Sequence, residues 1–126
     1  MSTAPDICIL ILGLSDDPER VAYQAATRLL QKGYRNLIGV HPRAHSVQGL
    51  PMVTHLSEVK QSPHTLTVYV GPTILEGLID EILRLKPQRL ILNPGTESAR
   101  VAQKAREAGI EVLEECTLVM LSLGRF

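Results

Sequence analysis

The chain has 126 residues, with 13 basic and 13 acidic side chains and few aromatics, three Tyr and one Phe. That length allows one domain burying roughly two-thirds of its unfolded surface. Balanced charge and scarce aromatics exclude the basic, base-stacking surface of a nucleic-acid binder. The opening MSTAPD lacks a signal layout and no apolar run approaches the ~20 residues of a membrane span, so a soluble cytoplasmic protein without a membrane partner is expected. Cys8 and Cys116 match no metal-ligand or CxxC spacing and suit a reducing compartment.

From Ile7 to Leu12 the chain is continuously apolar, the pattern of a strand covered on both faces, and this strand is expected at the centre of a sheet. It stops at Gly13. Asp17 and Pro18 then read as N-cap and first position of a helix whose stripe is Ala22, Ala25, Ala26, Leu29 and Leu30, and which Gly33 ends. Asn36 to Val40 is a second strand closing on His41-Pro42-Arg43, with His41 as a cap of the strand end. The stretch from Ala44 to Ser62 is mixed, with a short helix opening at Ser57. Thr65 to Val70 is a third strand, halted by Gly71-Pro72. Thr73 and Glu76 form a capping-box pattern ahead of the stripe Leu75, Leu78, Ile79 and Ile82. Arg89 to Asn93 is a fourth strand. NPGTES turns it into a helix carrying Val101, Ala102, Ala105 and Ala108 and ending at Gly109, and Ile110 to Glu114 is the fifth strand. The ending CTLVMLSLGRF is too apolar to stay in solvent and is expected to pack on the domain or on a second copy, the latter giving a homodimer.

Strands and helices alternating in this way define an α/β fold, a three-layer Rossmann-like doubly wound parallel sheet of about five strands in a single domain spanning residues 1–126. The expected order is 3-2-1-4-5. A ligand of such a sheet lies across the C-terminal ends of the strands at the switch point. Four loops stand there: Gly13 to Pro18, His41 to Arg43, Gly71 to Thr73, and Asn93 to Ser98.

The first loop suits a phosphate, because Gly13 allows close backbone approach, the following helix presents unpaired N–H groups, and Ser15 and Arg20 can add contacts. Asp16 and Asp17 are unfavourable neighbours for it. In the second loop, Arg43 stands where an NAD site carries an acid, and a cation there suits the phosphorylated ribose of NADP or of coenzyme A. Val70, Gly71 and Pro72 offer a rigid apolar kink for a flat adenine, and Gly95 precedes a second helix N-terminus. No catalytic constellation emerges: His41, His45, His55 and His64 lack zinc spacing, and neither GxSxG nor GxxxxGK[ST] occurs.

The run GLSDDPERVAYQAATRLLQKGY, followed by GVHPR, TVYVGP and NPGTES…AREAGIEVLEECTLVML, resembles the small stand-alone CoA-binding proteins. These are single Rossmann-type domains similar to the CoA-binding domain of the succinyl-CoA synthetase alpha subunit. The resemblance runs from about Asp6 to Phe126 and implies coenzyme A or an acyl-CoA as ligand. It implies that Gly13, Leu14, Ser15 and Arg20 contact the CoA phosphates, and that Pro42 and Arg43 hold the phosphorylated ribose. Val70 and Pro72 would border the adenine, and Asn93, Pro94 and Gly95 the far side of the cleft. Three positions depart from the family pattern: Ala22 lacks a serine hydroxyl, His41 replaces an asparagine, and Gly71 stands near a frequent arginine. The expected function is a binding module without its own catalytic set. The alternative is an NADP-linked or acyl-transferring enzyme completed by a partner or dimer interface, and a third reading has Cys116 forming a mixed disulfide with CoA.

Overall fold

Parallel pairing joins every neighbouring pair of strands in the computed structural model, which describes residues 5–43 and 46–126. His45 lies outside those residues. The strands are β1 (Ile9–Leu12), β2 (Leu37–Val40), β3 (Met52–Val53), β4 (Thr65–Val68), β5 (Arg89–Leu92) and β6 (Glu111–Leu113), in the order β3-β2-β1-β4-β5-β6. The expectation of about five strands in the order 3-2-1-4-5 is corrected on one point. The two-residue β3 occupies the edge beside β2, so Thr65–Val68 pairs with β1 and not with β2. Its docking needs Gly39, because a Cβ there would collide with Met52 Sδ and Leu14 Cδ2.

Four strands are buried along their whole length, which fits their mostly apolar sequences, and the buried polar side chains among them, Thr65, Thr67 and Arg89, are hydrogen-bonded. Alternation divides them between two cores. Leu10, Leu12, Leu66, Val68, Leu90 and Leu92 pack under a short 3₁₀ turn (Leu56–Glu58) and the helices α2 (Pro72–Glu76), α3 (Ile79–Leu85) and α4 (Ala99–Glu107). Ile9, Ile11 and Ile91 face the other way, toward α1 (Val21–Gln31) and α5 (Thr117–Ser122). Crossovers before and after the β1/β4 pair therefore lie on opposite faces, and their loops part above that pair.

Local chemistry differs from expectation at three places. Asp17 does not cap α1: its carboxylate accepts from Glu19 N–H at 3.0 Å and its carbonyl from Arg20 N–H at 3.0 Å, closing a separate turn. Arg20 is the N-cap residue instead. The stripe from Leu75 to Ile82 belongs to two helices, broken at Gly77 and Leu78, and Glu76 bonds Ser98 rather than boxing with Thr73. The apolar tail packs on its own domain, where α5 buries Met120 and Leu121 and Phe126 closes edge-on against Tyr34 at 5.3 Å. Val119 and Leu123 stay exposed.

Candidate functional site

At the end of β1 the backbone turns through Gly13 at φ +95°, a conformation other residues adopt at a cost. A Cβ there would stand 3.1 Å from Val70 Cγ1 and 3.3 Å from the Tyr69 backbone, so only glycine lets the β1 and β4 loops come together. Beyond it, Ser15 Oγ accepts from Asp17 N–H at 3.0 Å, and Asp17 lies 3.9 Å from Arg20 Nε. The chain enters α1 with no side-chain cap and no acid in the first turn. The first amides of an α-helix have no intrahelical acceptor, and here they open beside Val21 and Ala22 into a cleft.

That cleft has a volume of about 1070 Å³ and crosses the C-terminal edge of the sheet. From the Gly13 turn, Ser15, Glu19 and Arg20 line it, whereas Asp16 and Asp17 stand outside its lining. The end of β2 contributes Val40, His41, Pro42 and Arg43, and the His41 ring accepts from Arg43 N–H at 3.1 Å, closing the turn that projects the arginine. The guanidinium of Arg43 has no hydrogen bond or ion pair with any described residue. Beyond β3, Thr54, His55 and Leu56 form the end wall. The Glu58 carboxylate fixes that corner, accepting from Thr54 N–H, Thr54 Oγ1–H and His55 N–H. These bonds, led by the Thr54 hydroxyl, hold the Glu58 carboxyl below its ordinary pKa.

The opposite wall comes from Tyr69, Val70 and Gly71 at the end of β4, then Ile74, Leu78 and Glu81. The Tyr69 hydroxyl is buried close to the Thr117 and Thr67 hydroxyls without a well-aligned hydrogen bond, and burial, outweighing those neighbours, pushes its pKa up. At the end of β5, Asn93, Pro94 and Thr96 complete the floor, and Cys116, half-buried ahead of α5, closes the far side.

Asn93 is a strut of this floor. Its Nδ2 donates to Thr67 Oγ1 and to Val68 O, both at 2.8 Å, and its Oδ1 accepts from Thr117 N–H at 2.8 Å. The Thr67 and Thr117 hydroxyls bond each other at 2.8 Å. Every polar atom of the Asn93 side chain therefore has a protein partner. The turn after it is closed too, because Gly95 N–H donates to Glu97 at 2.8 Å and Ser98 Oγ accepts from Val101 N–H at 3.2 Å.

Of the residues singled out from the sequence, Gly13, Ser15, Arg20, Pro42, Arg43, Val70, Gly71, Asn93 and Pro94 come together around the cleft. Three do not line it. Leu14 is wholly buried in the α1-side core, Pro72 starts α2 on the outside, and Gly95 sits in the exposed Glu97 turn. Sequence reasoning missed the end wall, Thr54 to Leu56, and the side wall, Ile74, Leu78 and Glu81. The first follows a strand too short to leave a pattern, and the second depends on where α2 and α3 pack.

A doubly wound parallel sheet with a cleft across its switch point defines a Rossmann-like α/β domain. Residues 8–122 match the model of the CoA-binding domain family, and the chain belongs to that family. It is also similar to an uncharacterised protein of known crystal structure, with 38% identity, a TM-score of 0.89, and coverage of 96% of this chain and 98% of that one. A Thermus thermophilus protein matches at 28% identity and a TM-score of 0.85, over 96% of this chain and 91% of that one. The fold recurs in acetyl-coenzyme A synthetase 1 of Ca. Korarchaeum cryptofilum at 20% identity and a TM-score of 0.72, over 84% of this chain and 25% of that enzyme.

Proposed function

We propose that the cleft binds coenzyme A or an acyl-CoA through its phosphates and adenine, and that the chain is a small cytoplasmic binding module with no catalytic set of its own. Family membership supports CoA as ligand. The observation that carries the binding mode is Arg43, a cation with no partner among the described residues, held at the end of β2 where an NAD site needs a ribose-binding acid. A guanidinium there pairs with the 3′-phosphate of CoA. The uncapped start of α1, with Ser15 and Arg20 beside it, receives the pyrophosphate.

The dimensions agree. The cleft runs from the wall beyond β3 across the ends of β2, β1 and β4 to the end of β5, where Cys116 also lines it, and five strands at about 4.8 Å spacing extend roughly 19 Å, room for the nucleotide part of an extended ligand. In this orientation the ribose phosphate lies at Arg43, the base between the β2 end and Val70, and the arm passes Pro94 toward the far side.

Titration calorimetry with CoA, dephospho-CoA and NADP tests the reading. Wild-type protein should favour CoA over dephospho-CoA by about tenfold or more, and Arg43→Ala should remove most of that preference while leaving dephospho-CoA little changed. Equal losses for both nucleotides in Arg43→Ala would take the arginine out of this role, and NADP binding in place of CoA would overturn the ligand. A homodimer of the module would use Val119 and Leu123, the large apolar side chains that α5 leaves exposed at 50% and 60%. Light scattering then reads a halved mass for the double Val119→Lys, Leu123→Lys chain, and an unchanged mass would exclude that surface.

A further inference from the structure

Glu81 is a half-buried feature of the cleft that an anionic ligand does not explain, whereas Glu19, the other carboxylate on the lining, is exposed to solvent. Glu81 lines the wall after Ile74 and Leu78, and its carboxylate has no hydrogen bond or ion pair with any described residue. A carboxylate facing phosphates repels them. The N-terminal turn of α3 does not need it there, because Asp80 supplies an acid at the same helix end and faces away, toward Arg100 and Lys104.

The surroundings of Glu81 are apolar on the cleft side. Val40 and Leu56 are buried beneath the cleft, and Ile74 and Leu78 stand along the same wall as Glu81. The helix α3 packs against the 3₁₀ turn that follows the Thr54-His55 corner, which places Glu81 at the β2/β3 end of the cleft, the end that carries Arg43. A flat apolar ring fits against such a wall with its polar edge toward the carboxylate. That edge must donate, because an ionised carboxylate only accepts.

We infer that Glu81 is the residue that selects the base, accepting a hydrogen bond from the exocyclic 6-amino group of adenine. The assignment rests on the CoA reading above and adds to it a role for a side chain outside the phosphate and ribose contacts. The recognised chemistry is an aminopurine. A 6-oxopurine would turn a carbonyl oxygen toward the carboxylate and leave both acceptors unpaired.

The experiment compares CoA with deamino-CoA, in which the 6-amino group is replaced by a 6-oxo group, by calorimetry on wild type, Glu81→Gln and Glu81→Ala. Dephospho-CoA is measured alongside. Wild type should bind deamino-CoA about tenfold or more weaker than CoA. Glu81→Gln should bring the two within about threefold, because a carboxamide both accepts from an amino group and donates to an oxo group. Glu81→Ala should weaken CoA and also lose the discrimination. In both variants the preference for CoA over dephospho-CoA should stay at its wild-type value, since Arg43 is untouched. Wild type binding CoA and deamino-CoA equally would overturn the inference and leave the CoA reading standing, as would variants that keep the full discrimination while melting earlier. Wild type binding neither nucleotide removes the CoA reading and this assignment with it.

Discussion

Two turns of this molecule look alike in sequence and differ in what they leave open. The Gly13 turn and the Asn93-Ser98 turn each follow a buried strand, each carries a glycine with positive φ, and each runs into a helix on the C-terminal edge of the sheet. In the Asn93 turn the polar groups answer one another: Gly95 N–H meets Glu97, Ser98 caps Val101 N–H, and the Ser98 hydroxyl donates to Glu76 at 2.8 Å. In the Gly13 turn, Ser15 and Asp17 close the loop on itself one turn too early to serve α1, and the helix starts uncapped. The difference is that of a structural corner and a receptor. A helix N-terminus binds an anion only when the chain has not already supplied one.

The largest expected effect breaks the corner. Replacing Asn93 with alanine leaves Thr117 N–H and Val68 O without this partner in an environment where Asn93, Thr67 and Thr117 are all under 4% exposed. Orphaned buried polar groups cost about 1–3 kcal/mol each, so Asn93→Ala should lose about 3 kcal/mol and lower the melting temperature by about 10 °C. Calorimetric melting of the variant checks this, and a loss below about 1 kcal/mol would show that the floor is not held by this side chain. No loss of that size is expected from any single truncation in the Gly13 turn on the ligand side, where the polar groups face solvent.

The contrast between the turns was only half legible in the sequence. Gly13, Arg20 and Arg43 follow from turn chemistry and from their offset along a βα unit, and these are local properties. The closing of the second turn depends on Glu97 reaching back two residues and on Glu76, which arrives from a helix 22 residues away. The strand β3 left no periodic signal in two residues, and with it went the edge pairing and the whole Thr54-Leu56 wall. The α2–α3 break was equally hidden, since Leu75 and Ile82 are both buried and the stripe reads as continuous across Gly77. Strand identity was clear where a strand is buried along its whole length, as β1, β2, β4 and β5 are, whereas strand order depends on which edge the shortest strand takes.

The sharpest form of the comparison uses one side chain from each turn. Ser98→Ala removes the cap of α4 and the partner of Glu76, with Ser98 itself 4% exposed, and caps of this kind are worth about 1 kcal/mol. It should lower stability by that amount and leave CoA affinity within about twofold. Arg20 is the mirror image. Its side chain is 74% exposed and its contact with Asp17 is long at 3.9 Å, so that surface pair contributes little to the fold. Arg20→Ala should leave the melting temperature unchanged and weaken CoA by about fivefold to tenfold, the amount a charge-assisted phosphate contact supplies, with a smaller loss as salt rises. The two variants thus separate along two axes, stability for Ser98 and affinity for Arg20. If Ser98→Ala weakened CoA as much as Arg20→Ala does, the Asn93 turn would be a second phosphate site despite its internal bonds. If Arg20→Ala cost stability and no affinity, the uncapped start of α1 would be a flaw of the helix and not the place where the ligand enters.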